Sequence, residues 1–322
     1  KNVLLLFSGK THTIESEDLF VSKMEYGGGM GSLRPGCQAG EQFVCIDIGG
    51  TSMKYGLVDG YGKILCRREQ DTEAFAGGRG ILDKVLAIVD AFIRQGRVDG
   101  VCISTAGMVD PDRGEITYSA DLIPEYAGTN FKQPVKARFG LPCGVENDVN
   151  CAGLAEAVSG AGMGSRLVLM LTVGTGIGGS LVVDGEIFRG FGGNACEVGY
   201  MHMDGSDFQS LGAASVLTRK VAEEKQAPQE LWSGRRIFQE ARAGDAICIQ
   251  AIDQMADVLG KGIANICYVV NPEIVVLGGG IMAQEEYLGG RIRQALDRYL
   301  VPQIAAHTRL AFAKHGNDAG ML

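Results

Sequence analysis

The chain has 322 residues, of which 46% are hydrophobic and 21% charged, with 48 glycines and a formal net charge of −8. That length predicts two domains of about 150 residues each, large enough together to bury a core without disulfide staples. The acidic balance excludes broad nucleic-acid binding, which needs a basic face, and no apolar run reaches the ~18 residues of a membrane-spanning helix.

Residues 1–40, which include EYGGGMGSLRPG, read as a tail outside the folded domains. The apolar start KNVLLLF is too short for a signal peptide. Three short strands follow, Val44–Ile48, Met53–Val58 and Lys63–Arg67, joined by Gly49-Gly50-Thr51 and by DGYG, both turn sequences. In GILDKVLAIVDAFIRQG, residues Ile81, Leu82, Val85, Ile88, Val89 and Phe92 keep helical spacing, with Gly96 as the stop. VDGVCIST is a buried strand, NDVNCAGLAEAVSGAG a helix up to Gly160, and SRLVLMLTV a core strand. A long helix from Asp245 is expected to stop at Pro272. EIVVLGGGI is a strand ending in three glycines, and RIRQALDRYLVPQI another helix. This alternation predicts an α/β protein. The nine cysteines include no C-x-x-C pair, and Cys45 and Cys102 lie inside apolar strands. They are expected to be buried, reduced thiols of a cytoplasmic protein.

One comparison within the chain organises the rest. DIGGTSMKYGLVDG, starting at Asp47, and TVGTGIGGSLVVDG, starting at Thr172, align at a constant offset: Gly49 over Gly174, Val58 over Val183, Asp59 over Asp184. A unit repeated at half-chain spacing predicts two similar lobes. The second copy also spells G-x-G-x-x-G at Gly174, Gly176 and Gly179, with an acid, Glu197, further on, as in a dinucleotide-binding loop. That motif needs a helix after the third glycine. Here SLVVDGEIF follows, which is β-branched, short and closed by Asp-Gly, so a strand and a turn are expected instead. A Gly/Thr hairpin turn can still gather backbone N–H groups into a concavity that holds an anion. Thr51 and Thr175 add hydroxyl donors. Either hairpin alone is better read as a merely tight turn; the duplication and the neighbouring acids reverse that preference in favour of phosphate.

At this point the residues resemble the ROK sugar kinases. DIGGTSMKYGLVD is similar to their first phosphate motif, STAGMVDPDRGEI to the loop after the third strand block, and VENDVNCAGLAEA to the catalytic segment. TVGTGIGGSLVVDGEIFRGFGGNACEVGY is similar to the second phosphate motif and signature, VLGGGI to the adenosine-side loop, and GNDAGML to the C-terminal segment. The resemblance covers Glu41 to Leu322. It implies a duplicated actin-like ATPase fold (ribonuclease H-like), with a small lobe over 41–146 and a larger one over 147–322 around a cleft that closes to exclude water. It implies ATP, Mg²⁺ and a small-molecule sugar as partners, and a homodimer. Asp148 would be the general base toward the sugar 6-hydroxyl, a role in which alignment and proton acceptance matter most; read alone, an Asp before a helix is an N-cap. Asn147, Glu197, Gly107 and Tyr200 would line the sugar site. Asp47 would hold Mg²⁺ through water. Gly49, Gly50, Thr51 and Lys54 on one side, and Gly174, Thr175 and Gly176 on the other, would contact the phosphates. Gly278, Gly279 and Gly280 would flank the adenosine, or serve as a plain strand-to-helix turn.

The chain departs from the family pattern after Glu197-Val198-Gly199, where Tyr200 stands in place of a histidine. MHMDGSDFQSLGAAS then contains no cysteine. Structural zinc needs about four N or S ligands, which Cys196 and His202 alone do not supply, so no zinc is expected. Gln209 or Ser210 falls near the place of a second sugar-binding acid. These features resemble the zinc-free β-glucoside and N-acetylmannosamine kinases and imply a substituted sugar. Sugar-responsive transcriptional regulators and a non-catalytic sugar sensor are the alternatives. The residues before Glu41 lack a recognition-helix pattern, and the chain ends sooner after NDAGML than is usual in the family.

Overall fold

The structure, a computed structural model, describes residues 40–119 and 123–322. The expected tail, except Gly40, lies outside the described residues. In chain order the strands begin with β1 (Gln42–Ile48), β2 (Ser52–Asp59) and β3 (Ile64–Asp71), followed by helix α1 (Gly77–Ile93). Next come β4 (Gly100–Thr105), β5 (Met108–Asp110), β6 (Glu115–Tyr118), α2 (Lys132–Phe139), β7 (Cys143–Asn147) and α3 (Asp148–Ser159). Then follow β8 (Leu167–Val173), β9 (Ile177–Val183), β10 (Glu186–Ile187), β11 (His202–Met203), β12 (Ser206–Asp207), α4 (Phe208–Gly212), α5 (Ala214–Glu224) and α6 (Gly234–Arg242). The chain ends with α7 (Ala246–Val270), β13 (Ile274–Gly278), α8 (Glu285–Tyr299) and β14 (Arg309–Phe312), apart from one-turn helices.

The chain divides into two compact units. The first takes the described residues through Ser104, Pro111–Glu146 and Met321–Leu322; the second takes Thr105–Asp110 and Asn147–Gly320. The sheet of the first unit has the order β3-β2-β1-β4-β7, and that of the second β10-β9-β8-β13-β14. The two orders correspond strand for strand, so the sequence repeat is also a repeat of topology. The register is not quite the same. Gly49, Gly50, Thr51 and Ser52 close the first hairpin between the paired Ile48 and Met53. Gly174, Thr175 and Gly176 close the second between Val173 and Ile177, one residue tighter.

Phe43, Val44, Cys45 and Ile46 in β1 are all buried, as a strand covered on both faces requires. Val85, Val89 and Phe92 present one buried stripe of α1. The second unit is organised on α7, whose Ile252, Met255, Leu259 and Ile263 pack with Leu169, Leu171, Val275 and Leu277 of β8 and β13. Gly260 lets α8 come close, since a Cβ there would stand 2.4 Å from that of Ala295.

Several boundaries differ from expectation for physical reasons. β3 continues past Arg67 to Asp71 because it pairs along the whole of β2, with Ser52 opposite Asp71. It is the edge strand of its sheet, where charged residues are tolerated. α7 does stop just ahead of Pro272, at Val270, and Asn271 caps it, turning left-handed (φ 46°) and donating its N–H to the Cys267 carbonyl. A residue before proline is driven out of the helical region, and Asn accepts the left-handed one. α8 starts at Glu285 rather than Arg291 and stops at Tyr299, ahead of a separate turn at Pro302–Ala305. Asp148 is not an N-cap; Asn147 is.

Candidate functional site

In the second unit the glycines around the β8–β9 turn divide by what surrounds them. A Cβ on Gly178 would lie 2.5 Å from Val149 Cγ2, at the start of α3. One on Gly179 would lie 2.7 Å from the Cys196 carbonyl oxygen, and one on Gly176 2.7 Å from Gln209 Oε1 on α4. These three glycines exist so that three other segments can touch the start of β9. Around Gly174 there is open space within 4 Å. Packing does not explain that glycine; its bare backbone leaves room there for a close approach from outside the chain. Because β9 is a strand, the helix required by the dinucleotide motif is absent here.

The segments gathered on β9 carry the acidic candidates. Asn147 caps α3, its Oδ1 accepting from the N–H groups of Val149 (2.9 Å) and Asn150 (3.1 Å). Its Nδ2 donates to the Gly107 carbonyl (2.9 Å) and to Asp148 Oδ1 (3.0 Å). That oxygen also accepts from Val149 N–H at 2.9 Å. The Asp148 carboxylate is thus fixed at a helix N-terminus, where the helix dipole favours its anion. Gly107, with φ 99°, supplies the carbonyl that holds Asn147.

Glu197 sits at the centre of an inverse γ-turn (φ −69°, ψ 53°), closed by a 2.7 Å bond from Val198 N–H to the Cys196 carbonyl. Cys196 before it is left-handed at φ 66°. Gly199 after it admits no side chain, as a Cβ would stand 2.2 Å from the Ile177 carbonyl oxygen. The turn is therefore locked against β9 on both sides of Glu197. Although the residue reaches the surface, loss of water around its carboxyl pushes its pKa above the ordinary value. Tyr200 ends the same turn, half-exposed.

At the end of β13, Gly278 is buried beneath Met170, while Gly279 and Gly280 are exposed. Gly279 has φ 96°, and a Cβ would collide with the Val173 carbonyl oxygen at 2.3 Å, so this turn lies directly against the end of β8. Gly280, like Gly174, faces open space. The one-turn helix Gly280–Gln284 that follows packs through Ile281 beside Gly234 of α6, and just before Gly234 opens a hollow of about 400 Å³ lined by Thr218, Gln229, Glu230, Trp232 and Ser233.

In the first unit Asp47, near the end of β1, accepts a 3.0 Å hydrogen bond from Ser104 Oγ and lies 3.7 Å from Lys54 Nζ across the hairpin. Gly49 donates its N–H to the Ser52 carbonyl, and in the other unit Gly174 does the same to Gly176. Among the described residues no protein acceptor takes the N–H groups of Gly50, Thr51, Thr175 or Gly176.

The structure thus brings Asn147, Asp148, Gly107, Glu197, Tyr200, Gly174, Thr175, Gly176 and Gly279 around β9 and the adjoining end of β8, and Asp47, Lys54, Gly49, Gly50 and Thr51 around the first hairpin. Reading the sequence left out Ser215 of α5 and Thr72, both of which bind these turns. Neither lies in a motif, and each reaches its turn only through the fold.

The sequence pattern of the ROK family matches residues 43–322. A β-glucoside kinase of Listeria monocytogenes is 31% identical over 290 residues, covering 87% of this chain and 95% of that protein. An uncharacterized protein of Clostridium perfringens is 45% identical over 279 residues, covering 87% of this chain and 95% of its own length. The crystal structure of a ROK family glucokinase from Streptomyces griseus, in complex with glucose and AMPPNP, superposes with a TM-score of 0.75 at 27% identity over 87% of this chain and 96% of that one. The two-sheet α/β architecture is that of the actin-like ATPase fold of these sugar kinases.

Proposed function

The chain belongs to the ROK family, and from that premise we propose that it is an ATP-dependent sugar kinase, transferring the γ-phosphate to the 6-hydroxyl of a hexose or hexoside. One observation carries the reading: the start of α3 with Asp148 and the locked turn with Glu197 pack on glycines of β9, and Gln209 packs on Gly176 just before it, beside a Gly/Thr turn whose first glycine faces open space.

Phosphoryl transfer needs an aligned hydroxyl, a proton acceptor and neutralised phosphate charge. Asp148 would accept the 6-hydroxyl proton, held in position by Asn147 and by its place at the helix end. Glu197, with Tyr200 and the Gly107 segment, would bind the sugar ring. The N–H groups of Thr175 and Gly176, and of Gly50 and Thr51, would bind phosphate oxygens. Gly279, Gly280 and the hollow beside Trp232 would take the adenosine.

Mg²⁺ binds through one or two carboxylates plus phosphates and keeps several waters. Asp47, steadied by Ser104, fits that requirement as a single carboxylate. When bound, the ion would neutralise phosphate charge. Lys54 beside it would add a fixed positive charge.

The acceptor we propose is a hexose or hexoside of the glucose, β-glucoside or N-acetylmannosamine type. Gln209 supports the substituted sugar, since a neutral amide overhangs both Gly176 and Gly199 and lacks an acid's preference for a free anomeric hydroxyl. The test is turnover with Mg-ATP across glucose, β-glucosides and N-acetylmannosamine, with the phosphorylated position assigned by NMR. A 6-phosphate product is expected. Sugar binding without ATP consumption would favour a sensor or regulator, and strict preference for free glucose would reject the hexoside.

A further inference from the structure

Tight glycine turns expose carbonyls as well as amides, and a carbonyl facing a phosphate repels it. A turn offers an anion a more favourable face when carbonyl oxygens beside its amides are held elsewhere. In each unit of this protein one hydroxyl residue does that holding.

In the first unit the residue is Thr72, fully buried just after β3. Its hydroxyl donates to the Gly49 carbonyl at 2.6 Å, and its N–H donates to the Thr51 carbonyl at 2.9 Å. Both ends of the turn are thus tied to a single residue. Thr72 is itself held from α1, where Lys84 Nζ donates to the carbonyls of Asp71 (2.8 Å) and Thr72 (2.9 Å) and pairs with Glu73 at 2.6 Å.

In the second unit the residue is Ser215, at the start of α5. Its hydroxyl donates to the Thr175 carbonyl at 2.6 Å, while the Gly174 carbonyl accepts from the N–H groups of Ala214 (3.0 Å) and Ser215 (3.4 Å). The chemistry matches the first unit: a hydroxyl on one turn carbonyl and a backbone amide on another. The repeat does not predict it. At the constant offset Thr72 aligns with Glu197, not with Ser215. The two clamps come from unrelated segments that meet equivalent turns.

We propose that Thr72 and Ser215 are positioning residues that tie down the carbonyls of Gly49 and Thr51 in one turn and of Gly174 and Thr175 in the other, and so orient the amides of Gly50 and Thr51 and of Thr175 and Gly176 for phosphate. Neither residue touches the reacting atoms. The inference rests on the kinase reading, because the anion it concerns is the phosphate chain of ATP.

The test compares affinities for ATP and adenosine by calorimetry in the wild type and in Thr72→Val, Thr72→Ser and Ser215→Ala. Loss of a merely structural contact would weaken both ligands together. Loss of a clamp weakens only the ligand with phosphates. Removing one turn-holding hydrogen bond is expected to lower ATP affinity about tenfold in Thr72→Val and Ser215→Ala, with adenosine affinity unchanged and Thr72→Ser close to wild type. Ser215 is half-exposed, so Ser215→Ala decides the matter even where Thr72→Val fails to fold. The clamp is overturned by unchanged ATP affinity in Ser215→Ala, or by a parallel fall for adenosine. A wild type that binds no ATP overturns the kinase reading and the clamp with it, which is distinct from a wild type that binds ATP as well as its variants do.

Discussion

Two glycines on one hairpin are expected to respond in opposite ways to the same added methyl group. At Gly178 a Cβ would meet Val149 Cγ2 at 2.5 Å and Thr172 Oγ1 at 3.0 Å, against a carbon–carbon optimum of ~3.5–4.0 Å. About 1 Å of separation must open, and overpacking of this kind costs about 1–3 kcal/mol, a fall of roughly 2–4 °C in Tm per kcal/mol for a unit of this size. Val149 adjoins Asp148, so the start of α3 moves with it. A 1 Å misplacement of a reacting group costs roughly 10²-fold in rate. At Gly174 the methyl group meets nothing within 4 Å and the backbone is not left-handed. Gly174→Ala is therefore expected to fold normally, with a gain of about 0.4–1 kcal/mol from the stiffer unfolded chain. It should nonetheless raise the KM for ATP roughly 10- to 100-fold, through loss of about 1.5–3 kcal/mol of charge-assisted hydrogen bonding. Thermal unfolding and a coupled ATP assay on both variants make the comparison. Loss of stability in Gly174→Ala, or a fully active and stable Gly178→Ala, would refute the division between ligand-facing and packing glycines.

Other consequences are open to direct measurement. The Glu197 carboxyl is raised above its ordinary 4.5 by desolvation, so its ionised form is disfavoured in the folded protein; the penalty is absent below pH 4.5 and present above the raised value. Glu197→Gln should thus be at least as thermostable as wild type near pH ~8, without that advantage in acid, while losing sugar affinity in calorimetry; equal sugar affinity would remove Glu197 from the site. Burial pushes the thiols of Cys143 to about 12 and of Cys248 and Cys267 to about 11. Iodoacetamide on the native protein should leave these three unmodified while reaching half-buried Cys66, as read by peptide mass spectrometry. Phe208 is fully buried against Gly262 and carries the short helix that presents Gln209. Phe208→Ala should cost about 3–5 kcal/mol, visible in chemical denaturation.

The doubled β-hairpin was legible in the residues because Gly-Thr turns and Asp-Gly turns recur at one offset, and a β-branched run after Gly179 cannot continue as a helix. The strand orders of the two sheets then follow as a repeat. The charged run at residues 68–71 concealed the second half of β3, because edge position, not alternation, decides what it tolerates. α5 and α6 do carry short apolar stripes at helical spacing, Val216, Leu217 and Val221 in one and Ile237, Phe238 and Ala241 in the other, but the many charged residues around them obscure so brief a pattern. In the site, acids and glycines were recognisable from their motifs, but their reasons were not. That Gly176, Gly178 and Gly179 serve packing while Gly174 does not depends on neighbours up to 33 residues away, such as Gln209 over Gly176. Thr72 and Ser215 lie in no pattern at all.

The most direct test of the account is Asp148→Asn, with turnover and sugar affinity measured on the same preparation. The amide keeps the shape of the carboxylate and its place at the start of α3, and removes only the proton acceptor. The account predicts a fall in kcat of about 10²–10⁴-fold with the sugar dissociation constant little changed. Turnover at the wild-type rate, with the sugar still bound, would contradict it.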